Sequence, residues 1–161
     1  MRYLSIASFF FFLISEGKSQ DKHLEIVEFT QVQSLPKSPD CDVDVSVAIE
    51  SQIICMTNYI NTHIAHNFIF PKEARAYGVE AKIYVNFVVD TNAHVIGVEV
   101  IKGARDRYKW EGKRRKEIAE ILDNNAVEVI KSLKFSEPAL DNGKPVNIAF
   151  TQPINALLQR K

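Results

Sequence analysis

"NGKPVNIAFTQPI", residues 142–154, is the stretch on which the fold turns. It opens as a turn and continues as an alternating segment. Val146, Ile148 and Phe150 share one face, and Asn147, Ala149 and Thr151 share the other. That period of two predicts a strand with one face on a core. Pro145 and Pro153 bracket it. Proline has no N–H to give a ladder, so such strands favour sheet edges. An edge is either an aggregation hazard or a place where another chain pairs.

Upstream, "EIAEILDNNAVEVIKSL" (117–133) is helical, with Ile118, Ile121, Leu122, Val129, Ile130 and Leu133 as its buried stripe. Asp123 and Asn124 could divide it or cap a second segment. "AKIYVNFVVDTNAHVIGVEVIKG" (81–103) predicts a hairpin. Ile83, Val85, Phe87 and Val89 form one face of its first strand, matched by Ile96, Val98 and Val100 on the second. In the turn, Asn92 tolerates positive φ better than Ala93, so Asn92 is expected in the left-handed region. "FPKEARAYG" (70–78) predicts a short helix, with Pro71 in its first turn and Gly78 just past its end. "AIESQIICMTNYINTHIAHNF" (48–68) repeats Ile49, Ile53, Met56, Ile60 and Ile64 at helical steps. The expected order is helix, short helix, hairpin, helix, strand. Before them, "HLEIVEFTQVQ" (23–33) could form a short strand and "SLPKSPDCD" (34–42) reads as loop. "ARDRYKWEGKRRKE" (104–117) reads as a surface loop or the exposed start of a helix.

The 161 residues suffice for one domain with a real core. Twenty basic and twenty acidic side chains cancel, so bulk charge does not point to nucleic acid. The charge is uneven: residues 21–50 hold seven acids and two lysines, whereas residues 102–117 hold eight bases and three acids. Such runs usually mark solvated faces. Residues 1–19 read as a secretory signal: Arg2, an apolar run from Leu4 to Ile14, then Gly17 and Ser19 at cleavage spacing. The run would span about 16 Å as a helix, against roughly 30 Å of bilayer hydrocarbon. Cleavage is expected near Ser19/Gln20, with an uncleaved signal-anchor as the alternative and the only route to membrane contact. The expected division is 1–19 signal peptide, 20–47 an acidic, mostly irregular segment, and 48–161 the folded domain.

Cys41 and Cys55 are the two cysteines. In an exported chain an even count pairs, so a disulfide is expected, tying the loop to the first helix. A zinc pair is the competing reading, and the spacing fits it poorly. His63 and His66 can share a helical face, but no third ligand stands out. No nucleophile-elbow serine and no phosphate-cradling glycine loop is present, so neither catalysis nor a cofactor is expected. Trp110 among Arg105, Arg107, Lys109, Arg114 and Arg115 reads as a half-buried ring in a solvated loop, or as a cation–π patch for an acidic partner or peptidoglycan.

"FPKEARAYGVEAKIYVNFVVDTNAHVIGVEVIKG", "LDNNAVEVIKSLKF" and "NGKPVNIAFTQPI", in this order, resemble the TonB C-terminal domain family and its energy-transducer TonB-like members. The resemblance covers roughly residues 68–154. The proline–cysteine–cysteine stretch before it is similar to a subgroup with an extra N-terminal helix. Ala81, Ala93 and Ala139 stand where the family often has glycine. The resemblance implies an α+β fold: a small antiparallel sheet, made of the hairpin and the C-terminal strand, packed against helices. It implies a periplasmic protein-binding module rather than an enzyme, contacting outer-membrane receptor or envelope proteins by strand addition in the setting of energy-dependent transport. The partner would be an extended peptide of a TonB-dependent receptor, lying along Val146, Asn147, Ile148, Ala149, Phe150, Thr151 and Gln152. A homodimer through the same strand is the rival occupant. A soluble envelope structural or sensory accessory without force transduction is the rival function.

Overall fold

The described residues of this computed structural model are 26–27, 32–41 and 48–158. Their elements run β1 (Ile26–Val27), α1 (Ile49–Asn67), α2 (Lys72–Ala76), β2 (Ala81–Val89), β3 (Val95–Lys102), α3 (Ala104–Arg107), α4 (Lys113–Lys131), β4 (Ala139–Asp141) and β5 (Lys144–Ala156). The order expected from periodicity is present. The signal segment, most of the residues flanking β1 and the acidic residues 42–47 lie outside the described residues.

Two long antiparallel pairings make the sheet. β2 pairs β5 from Ala81↔Ala156 to Val89↔Ile148, and β3 on its other side. Along the far side of β5, β1 pairs parallel, giving the order β1-β5-β2-β3, and β4 pairs the start of β5 antiparallel. The sheet is therefore mixed, not purely antiparallel as expected, because the short strand upstream of α1 joins it.

Ile83, Val85, Phe87 and Val89 are buried on one face of β2, as their alternation requires. Ile118, Leu122, Ala126 and Ile130, spaced by four, cover that face from α4 without exposure. Ile148 and Ile154 of β5 join the same core, and the rings of Phe87 and Phe150 stack at 5.4 Å. α1 packs near the C-terminal end of α4. Its Tyr59 hydroxyl donates to Lys134 O at 2.8 Å and accepts the Lys134 N–H at 3.0 Å.

Three local expectations need correction. Ile96 does not share a face with Val98 and Val100. Val85 pairs Val100 and Val88 pairs Ile96, so a bulge intervenes, and Gly97 sits there at φ 59°. The extra residue flips the alternation, and Ile96 lies opposite Val88 on the other face. In the hairpin turn it is Ala93, not Asn92, that takes positive φ, at 63°. The Asp90 carboxylate accepts the N–H groups of Asn92 at 2.9 Å and His94 at 2.8 Å. A three-residue loop of this kind ends on its left-handed residue, whatever that residue is. Finally, α4 is continuous through Asp123 and Asn124, and Ile121 is exposed. The β4–β5 turn behaves as expected: Asn142 and Gly143 both have positive φ, the two-residue geometry that matches strand twist.

Residues 32–41 lie against β4 and α1. Gln33 N–H and Ser34 N–H both reach Leu140 O, and Leu35 N–H reaches the buried Gln52 side chain at 2.9 Å. Val32 and Leu35 enter the core. Cys41 and Cys55 form the expected disulfide, with Cα atoms 6.0 Å apart.

Candidate functional site

β5 is the element that the sequence singled out, and its 13 residues do not share one environment. Val146 pairs Ala139 of β4. Asn147 and Ile148 pair Ile26 and Val27 of β1 in parallel. From Ile148 to Ala156 the inner side pairs β2 throughout. On the outer side, no described strand lies beside Thr151–Ala156. Ile148 is buried, and Val146 and Phe150 pack against the core from the same face. Asn147, Ala149 and Thr151 face the other way, and Gln152 Nε2 donates to Asn61 Oδ1 at 3.1 Å.

Pro153 pairs Tyr84 of β2. A proline is tolerated where its missing N–H would not point into the ladder. Direction alternates along a strand, so Thr151 directs its N–H to the outer side as well. What this side offers is backbone: amides and carbonyls in register, with apolar side chains on one face and small or polar ones on the other. That suits recognition of an extended peptide and supplies no group for bond chemistry.

Sequence reasoning missed β1 as a parallel neighbour of β5. The only signal was the apolar pair Ile26-Val27 within "HLEIVEFTQVQ". It also missed which helix Asp123 caps. This buried carboxylate accepts the N–H of Ala104 at 2.7 Å and of Arg105 at 2.9 Å, so it caps α3 from the middle of α4. Burial, foremost, pushes its pKa up, and these two N–H groups oppose that.

The other candidate residues do not assemble. Ser132 donates its hydroxyl proton to Val129 O at 2.7 Å, leaving the ring N–H of His63 to donate to Ser132 Oγ, also at 2.7 Å. Burial lowers the His63 pKa. His66 is exposed and not part of this contact. Among the described residues no group of three or more metal-ligating side chains is gathered, and no helix is long and apolar enough to cross a membrane. Trp110 is not half-buried as expected but 88% exposed, with Lys109 Nζ 5.5 Å from the ring centroid.

No family model matches this chain, and no curated protein matches it. Among solved structures, the chain is similar to the NMR solution structure of the Helicobacter pylori TonB-CTD (residues 179–285). The identity is 22% and the TM-score 0.47, covering 72% of this chain and 88% of that one.

Proposed function

We propose that this chain is a periplasmic protein-binding module that takes an extended peptide of an outer-membrane receptor or envelope protein alongside Val146–Gln152 of β5. The observation that carries this reading is the parallel register Ile26↔Asn147 and Val27↔Ile148. The outer side of β5 already receives an extended segment, so its backbone is in a pairing geometry. The Cys41–Cys55 bridge supports an oxidising compartment such as the periplasm. A net backbone hydrogen bond contributes about 1 kcal/mol. Roughly five or six, less the cost of ordering a flexible peptide, correspond to micromolar-class binding.

β1 and the partner compete for the same residues. The described part of β1 is Ile26–Val27, and Ile26 is half exposed.

The test uses synthetic N-terminal peptides of outer-membrane receptors, unmodified and N-methylated at alternate amides. N-methylation in one register should abolish capture and in the other leave it. Thr151→Pro should weaken capture without altering the far-ultraviolet circular dichroism. Capture that survives methylation in both registers would mean that the peptide does not bind as a strand.

A further inference from the structure

Trp110 is the sole tryptophan of the chain and lies in the turn between α3 and α4, almost entirely in water. The next most exposed aromatic ring among the described residues, Tyr77, is 45% exposed and has the Arg114 guanidinium over it at 5.7 Å. The indole is thus the one large apolar side chain held out at the centre of the chain's most basic stretch.

Two open cavities have Lys109, the residue before it, in their walls. One, of about 450 Å³, lies between the start of β2, the end of β3 and α3 and is lined by Lys82, Lys102, Arg107 and Lys109. Its acid, Asp106, already accepts the Gly103 N–H at 2.8 Å. The other, of about 540 Å³, is lined by Arg105 and Lys109, with Asp106 and Asp123 as its acids. Asp123 is likewise committed, to the N–H groups of Ala104 and Arg105. Three further acids of the α3–α4 segment make long, exposed pairs: Glu111 to Arg115 at 3.7 Å, Glu117 to Arg114 at 3.5 Å and to Lys113 at 4.0 Å, and Glu120 to Arg105 at 4.0 Å. Such pairs are weak and leave the basic side chains free to move to another anion, and residues 102–117 keep a net excess of bases over acids.

A protruding indole ringed by long cationic stems suits a lipid interface. Tryptophan settles at headgroup level with its ring in the apolar boundary and its N–H in the wet layer. Lysine and arginine gain from an anionic surface when they lie within a Debye length of it. An acidic protein would match the charge but would also need a pocket for the ring. We propose that the α3–α4 corner docks on an anionic phospholipid surface, with Trp110 entering the headgroup layer and lipid phosphates meeting the lysine-lined cavity.

Trp110 is its own reporter. Emission of the full chain is followed on adding phosphatidylcholine vesicles with or without phosphatidylglycerol. A blue shift with protection from acrylamide is expected with the anionic vesicles alone, reversed by about 0.5 M salt. Lys102→Gln combined with Lys109→Gln should lower the partition at least about tenfold, at roughly fivefold per lysine. Trp110→Ser should reduce co-sedimentation with the vesicles. No shift with anionic vesicles, or an equal shift with neutral ones, would overturn the proposal. An equal shift with poly-glutamate or with inorganic phosphate would also overturn it, assigning the corner to an acidic protein or a free anion. None of these readouts depends on peptide capture at β5.

Discussion

Asp123 and Asp90 show how much one carboxylate can fix. Asp123, 4% exposed, caps α3 from α4, and Gly103 lies so close that a methyl there would run into the carboxylate. Gly103 has an extended φ of −150°, so the glycine is required by space, not by backbone conformation. Gly103→Ala is expected to cost about 2 kcal/mol by clash and loss of the cap, and Asp123→Ala about the same, read by urea unfolding. The two carboxylates have opposite pH signatures. Asp123 has a raised pKa, so the folded chain holds its proton more tightly than the unfolded chain does. Its contribution is most favourable below the ordinary carboxyl value and falls as pH rises through the folded-state value. For Asp90, burial pushes the pKa up, but the N–H groups of His94 and Asn92 and the charge of His94 outweigh it, and the net shift is downward. Its contribution is present above the ordinary value and is lost as pH falls through the folded-state one. Unfolding free energies between about pH 3 and 7 should therefore lose part of their decline with rising pH in Asp123→Asn. In Asp90→Asn they should lose part of the acid limb.

At the scale of elements, the α1 periodicity, the β2 alternation and the Asn142-Gly143 turn were legible because each depends on neighbours in sequence. The flip at Gly97 was half legible: a glycine inside a strand pattern signals a bulge, but which side chains change face depends on the β2 register. Ala93 was misread because propensity at the turn yielded to the Asp90 side chain. β1 was least legible, since two apolar residues specify a strand only once β5 is beside them. The disulfide connects residues 32–41 to α1 across 14 positions, so Cys41→Ser with Cys55→Ser should lose about 3 kcal/mol in non-reducing urea titrations. If β1 competes with a partner strand, Val27→Asp, which places a charge at a half-buried site packed on the core, should tighten receptor-peptide binding about tenfold by calorimetry. Unchanged or weaker binding would mean that β1 and the peptide do not share a position.

At the scale of the molecule, one sheet has two different margins. β3 is an outer strand with a bulge at Gly97, a feature that commonly discourages edge pairing. β5 is central for part of its length: β2 runs along it from Ile148 to Ala156, whereas, among the described residues, β4 and β1 pair with it only at its beginning. The α3–α4 corner, with Trp110 and its cations, lies on other elements than the β5 edge, so peptide capture and surface attachment need not exclude one another. Pro145, Pro153 and the alternation between them pointed to an edge strand, whereas β5 lies between β1 and β2 and, among the described residues, has no outer strand beside Thr151–Ala156. The pairing of β5 with the chain's own β1 was not legible, because it joins residues far apart in sequence. The deciding measurement is hydrogen–deuterium exchange of the full chain, free and with saturating receptor peptide. Slowed exchange confined to amides of Val146–Gln152, with Val95–Lys102 unchanged, is the expected result. Protection that appears along Val95–Lys102 instead, or nowhere in the sheet, would contradict strand addition at β5.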